Sequence, residues 1–110
     1  MAVALEKNVA LTSLNLGGNG THIGNGSVKA LAFALEKNAT LARLVLSSND
    51  IQPDGAKALA MALEKNASLI RLSLADNKIG TSGAKDFAIA LENNTGSLTS
   101  LNLELSLIHI

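Results

Sequence analysis

The sequence predicts an α/β solenoid, a horseshoe with a parallel sheet on its concave side and helices on its convex side. Three observations carry that expectation. Leu11, Leu41, Leu69 and Leu98 open copies of one pattern, separated by 30, 28 and 29 residues. Each copy begins with a short apolar alternation and continues with a helical apolar stripe. A period near 29 that contains one strand and one helix is one coil of a stack, because such a unit cannot bury its apolar face alone.

The strand comes first in each coil. Leu41, Leu44 and Leu46 alternate with variable residues, as a strand buried on one face does. The helix follows. Ala56, Leu59, Ala60 and Leu63 fall at i, i+3, i+4 and i+7, and Leu31 and Leu35, or Phe87 and Leu91, hold the same phase in the neighbouring copies. Asp54 or Ser82 is expected to accept from the free amides at a helix start, with Pro53 just before one of them. Asn38, Asn66 and Asn94 stand where a helix ends and are expected in the left-handed conformation that asparagine tolerates. Strands joined by helical crossovers run parallel and right-handed. Helices are about 10 Å wide and strands about 4.8 Å apart, so the strands lie inside the curve.

The pattern LxxLxLxxNxIgxxGakxLAxALxxN resembles the ribonuclease-inhibitor-like class of leucine-rich repeats, a class also found in NOD-like receptor sensor arms and the Ran GTPase-activating protein. The resemblance covers Met1 to about Glu104 and implies a horseshoe that binds protein. Ribonuclease inhibitor itself is rich in cysteine, whereas this chain has none. Met1 to Asn8 matches Leu59 to Asn66, which places the start of the sequence inside a helix. Residues 1–104 therefore read as a repeat fragment of half a helix, three repeats and a final strand. The repeat expects asparagine at position 106 and meets Ser106. Residues 105–110, LSLIHI, resemble translated transposase-adapter sequence and are expected to be a non-native tail; the other reading is a native apolar strand. Open repeat ends expose leucine rows, so end-to-end self-association of the fragment is expected.

Composition narrows the function. Nine basic and nine acidic side chains cancel, which argues against a nucleic-acid partner. No apolar run approaches the roughly 18 residues of a membrane span. The absence of cysteine excludes disulfides and thiolate metal sites, and with no secretory signal in the opening residues a cytoplasmic setting is expected. No catalytic, cofactor or metal site is expected. Only His22 and His109 supply imidazole, and neither has a second histidine at ligand spacing; His22 could approach Asp50 in the neighbouring loop, but no nucleophile is placed with them. Gly18, Gly20 and Gly24 resemble a phosphate-cradling loop, but the equivalent segments SSNDIQPDG and ADNKIGTSG make the same turn without that pattern. Gly55 and Gly83 are read as permitting turns or close packing before the helices. The glycosylation patterns at Asn19, Asn25, Asn38, Asn66 and Asn93 recur because the repeat copies them.

The remaining polar positions divide into structural and surface sets. Asn19, Asn49 and Asn77, ninth in each coil, are expected to form a buried ladder that pairs turn backbone groups. Outward positions on the concave sheet are Ser13, Asn15, Gly17, Arg43, Val45, Ser47, Arg71, Ser73, Ala75, Ser100 and Asn102. Arg43 and Arg71 are expected side by side, which suits an acidic partner or simply splayed, solvated side chains. Val3, Phe33, Met61 and Ile89 share a helical phase about 150° from the core stripe. They read either as an exposed docking seam or as mutual packing between helices under the stems of Lys29, Lys57 and Lys85, and the repetition in every copy favours packing. The functional expectation is a non-enzymatic scaffold that binds a protein by its concave face and loops. The alternatives are a small-GTPase regulator, which the Ran GTPase-activating protein resemblance allows, and a spacer between other domains.

Overall fold

A computed structural model describes residues 10–18, 24–93, 97–104 and 106. Val3, Asn19, Gly20, His22, Asn94 and His109 lie outside them, and so do the expectations placed there. The elements in chain order are β1 (Ser13–Asn15), α1 (Gly24–Lys37), β2 (Arg43–Val45), α2 (Pro53–Lys65), β3 (Arg71–Ser73), α3 (Gly80–Asn93) and β4 (Ser100–Asn102). The four strands form one parallel sheet in sequence order. Leu14, Leu44, Leu72 and Leu101 stand at one register position across it. This is the stacked-coil α/β architecture that the leucine spacing predicts.

The core runs through the middle of the stack. Leu31, Leu35, Leu41, Leu44, Leu46, Leu59, Leu63, Leu72 and Phe87 are buried, with Ile51 and Ile79 closing each coil at the turn into its helix. Leu91 departs from its expected place on the core stripe. It is exposed, because no further helix packs on it among the described residues. The helices meet through small side chains: Ala32, Ala34, Ala56, Ala60, Ala62 and Ala90 are buried. Gly83 belongs to this contact rather than to a turn. A side chain there would collide with Ile79 and come within 3.1 Å of the Ala56 methyl.

Helix starts differ from the sequence expectation. Gln52 is the N-cap of α2 and makes no side-chain cap bond, while Pro53 supplies the first helical residue, where its missing amide costs nothing. Asp54 therefore sits inside the first turn instead of capping it. Its carboxylate accepts from Asn25 Nδ2 in the preceding coil and pairs with Lys29 Nζ at 3.1 Å. Ser82 is likewise inside α3, which starts at Gly80 with a φ of 71°. That left-handed backbone is open to glycine at little steric cost.

The hydrogen bond from Asn25 and the ion pair with Lys29 hold the Asp54 carboxyl below its ordinary value of 3.8. A depressed carboxylate adds stability at neutral pH that is lost as pH falls through the folded-state value. The melting temperature is accordingly expected to drop below about pH 4. Lys29→Ala and Asn25→Ala should each narrow the difference between melts at pH 6 and pH 3. A pH profile unchanged by either substitution would contradict this linkage.

Candidate functional site

Each described coil carries polar rungs that tie it to its neighbour. Asn77 Oδ1 accepts from the amides of Asn49 at 3.0 Å and Ile51 at 2.9 Å, while its Nδ2 donates to the carbonyls of Leu46 and Leu74, each at 3.0 Å. Asn49 Nδ2 donates to Leu16 O at 2.7 Å. The residue before each rung is left-handed, Ser48 at φ 58° and Asp76 at φ 55°, and this turns the asparagine inward. At position 106 a serine holds the rung. Ser106 is fully buried, its hydroxyl accepts from Asn77 N at 3.1 Å and donates to Leu74 O, and its carbonyl accepts from Gly80 N.

A second ladder runs along the helix ends, where local propensity predicts left-handed caps. Asn66 instead has extended backbone, φ −85° and ψ 131°. Its Oδ1 accepts from Ser68 N and Leu69 N, and its Nδ2 donates to Leu35 O at 2.8 Å and Asn38 O at 3.1 Å. Asn38 Oδ1 accepts from Thr40 N and Leu41 N, and its φ is not positive either. Both residues are buried, which removes these two glycosylation patterns from solvent. Periodicity is the sequence signal for this ladder, since Asn38 and Asn66 repeat at the same 28-residue interval as Asn49 and Asn77.

Two ladders and a leucine core hold the sheet rigid beneath its outward face. Arg43 and Arg71 are register partners on β2 and β3, both exposed. Ser13, Asn15, Ser100 and Asn102 are exposed, and Val45, Ser47 and Ser73 are half-buried. Arg43, Arg71, Ser73, Ser100 and Asn102 border a shallow recess of about 250 Å³. Ser47 Oγ and Ser73 Oγ lie 3.1 Å apart. Asn15 and Asn102 use their Oδ1 atoms to accept from Gly17 N and Glu104 N, fixing the turns that follow their strands. A second recess, about 310 Å³, lies at the loops among Ser48, Asp50, Asp76, Asn77 and Lys78, where Lys78 pairs with Asp50 at 3.1 Å.

Two guanidinium groups on adjacent strands, ringed by hydroxyl and amide groups, can bind carboxylates or other anions on a partner's surface. A Leucine Rich repeat family model matches residues 7–32, 37–60 and 65–88, about two thirds of the chain. The chain belongs to the leucine-rich repeat family. No curated protein matches it in sequence. Among solved structures it is similar to one named Leiomodin-1 Actin-Binding Site 2, with a TM-score of 0.86 and 24% identity over 99% of this chain and 64% of that one. It is also similar to the tropomodulin C-terminal domain of Caenorhabditis elegans, with a TM-score of 0.84 and 17% identity over 96% of this chain and 62% of that one. The chain thus spans less than two thirds of either structure. At these identities the likeness is one of leucine-rich repeat fold.

Helix faces give a further surface, and here a sequence expectation is corrected. Phe33, Met61 and Ile89 are more than half exposed, at 55%, 53% and 54%, and the Lys37 ammonium lies 4.5 Å from the centre of the Phe33 ring. The buried alanines explain it. Helices that meet through methyl groups approach closely below the seam and leave the large side chains outside.

Proposed function

We propose that the chain is a non-enzymatic protein-binding scaffold whose concave face holds an acidic surface of a partner protein. The observation that carries this reading is the register pairing of Arg43 with Arg71 on an exposed, polar-rimmed sheet. Like charges at the spacing of adjacent strands are mildly unfavourable, and an anionic group between them relieves that repulsion. Rigidity supports the same reading, since a preformed sheet loses little conformational entropy on binding. A ribonuclease-inhibitor-like subtype, suggested by the 28 to 30 residue coils, fits a broad face of this kind. The leiomodin structure is named for an actin-binding site, which makes actin the first partner to try.

The test is binding of actin, and of partners cross-linked in cells, to the wild-type chain and to an Arg43→Glu, Arg71→Glu variant. Loss of a captured protein in the variant, with an unchanged melting temperature, is the expected result. Both arginines are exposed, so folding should not depend on them. Equal capture by both forms would remove the concave face from the interaction. The small-GTPase reading makes the opposite demand, that the chain accelerate GTP hydrolysis by a candidate GTPase, and a scaffold leaves that rate unchanged.

A further inference from the structure

The chain contains two arginines among its nine basic residues, and the sheet sets them side by side, Arg43 on β2 against Arg71 on β3. Other cations are engaged. Lys29 pairs with Asp54, Lys65 with Glu36 and Lys78 with Asp50, while Lys37 lies over the Phe33 ring. Neither arginine side chain has a hydrogen bond or an ion pair among the described residues. The four strands carry no acidic residue that could supply one.

The recess of about 250 Å³ that the arginines border adds further donors. Ser100 is exposed, and Asn102 accepts from Glu104 N through its Oδ1, which leaves Nδ2 to donate. The Ser47 and Ser73 hydroxyls, 3.1 Å apart, share one hydrogen between them and keep a second to donate. The floor is the half-buried Val45, and the lining holds no carboxylate and no histidine among the described residues. Two full positive charges ringed by neutral donors are matched by one group that carries two negative charges and several acceptor oxygens.

The common biological anions meet this pair differently. A carboxylate has one charge and two oxygens, which a single guanidinium fork satisfies, so the second arginine stays unpaired one strand spacing away. A phosphodiester also carries one charge per phosphate and leaves the same shortfall. A phosphomonoester carries close to two charges at neutral pH on three terminal oxygens, enough for both forks. We infer that the recess between β2 and β3 binds the phosphoryl group of a phosphorylated side chain on the partner protein, with Arg43 and Arg71 each donating to its terminal oxygens. This rests on the reading of the concave face as the partner-binding surface, and it names the modification the partner carries. The recess is shallow, which suits a short side chain, phosphoserine or phosphothreonine. Phosphorylation of the partner then switches binding on.

Fluorescence anisotropy of labelled degenerate peptides with a fixed central phosphoserine, titrated with the full chain, is the deciding measurement. Matched peptides carry glutamate or serine at the centre. The phosphoserine peptides are expected to bind at least about tenfold tighter than the glutamate peptides at neutral pH. That advantage should shrink as pH falls toward about 5.5, because the phosphoryl group takes up its second proton near pH 6 while glutamate stays ionised. Comparing the two peptides over one pH range cancels any titration of the protein, including that of Glu104 two residues past Asn102. Arg43→Lys and Arg71→Lys keep the charge and lose the fork. Each should weaken phosphoserine binding at least about tenfold, with the melting temperature unchanged because both positions are exposed.

Glutamate peptides that bind as tightly as phosphoserine peptides overturn the phosphoryl inference and leave the acidic-partner reading standing. Lysine variants that bind as the wild type does have the same consequence, since the face then acts by charge alone. Inorganic phosphate that binds as tightly as the peptides assigns the recess to a free anion, and a dinucleotide that binds more tightly assigns it to a phosphodiester; either result overturns the inference. Failure of every peptide to bind overturns it too. The capture experiment with Arg43→Glu, Arg71→Glu then decides separately whether the concave face holds a partner at all.

Discussion

Asn77→Leu is expected to destabilise the fold by about 4 kcal/mol, measured by urea unfolding. Asn77 is 4% exposed and its Oδ1 takes the amides of Asn49 and Ile51, while its Nδ2 serves the carbonyls of Leu46 and Leu74. Leucine fills the volume but returns none of these bonds. Leaving a buried amide without an acceptor costs roughly 1–3 kcal/mol, and two are orphaned here. The bonds span two coils, so the loss also loosens the interface between them. Asn15→Leu is the control. Asn15 accepts a single local bond from Gly17 N on an exposed strand, and its loss should stay within about 0.5 kcal/mol. If Asn77→Leu falls within about 1 kcal/mol of the wild type, the ladder is not what joins the coils.

The contrast between Asn77 and Asn66 shows which parts of this fold can be read from its sequence. Leucine spacing specifies strand register, because a one-residue slip would turn Leu44 and Leu72 out of the core and the arginines into it. The juxtaposition of Arg43 and Arg71 is therefore legible in the amino-acid order alone. Asn66 reads as a left-handed cap because asparagine is common there for local reasons. Its actual partners include Leu35 O, 31 residues away, and local propensity carries no information about that. Asp54 misleads in the same way: an acidic residue near a helix start suits a cap, yet Pro53 begins the helix one residue earlier and Asn25 reaches across from the preceding coil. The seam is the opposite case. Repetition correctly puts Phe33, Met61 and Ile89 in a line, but a period does not say whether a row is covered, and the alanines between the helices decide that.

Those alanines and the leucine core imply an unequal sharing of stability along the stack, and Leu44→Ala is the substitution that reads it. Leu44 is fully buried in β2, with Leu14 on one side and Leu72 on the other. Truncation removes three carbons and leaves a cavity between two coil interfaces, for which about 3–5 kcal/mol is expected. Leu14 and Leu101 hold the same register position on the outer strands and are half-buried, so alanine there should cost roughly half as much. Stability in stacked repeats is approximately a sum of coil terms and nearest-neighbour interface terms. Loosening the β2 coil therefore weakens its coupling to both sides. Hydrogen exchange should show this directly: in Leu44→Ala, protection is lost in β1 and β3 together, whereas in Leu101→Ala it is lost in β4 and kept in β1. Equal costs at all three positions, with exchange rising uniformly, would mean that the chain unfolds as one globular unit and that its coils are not separable terms.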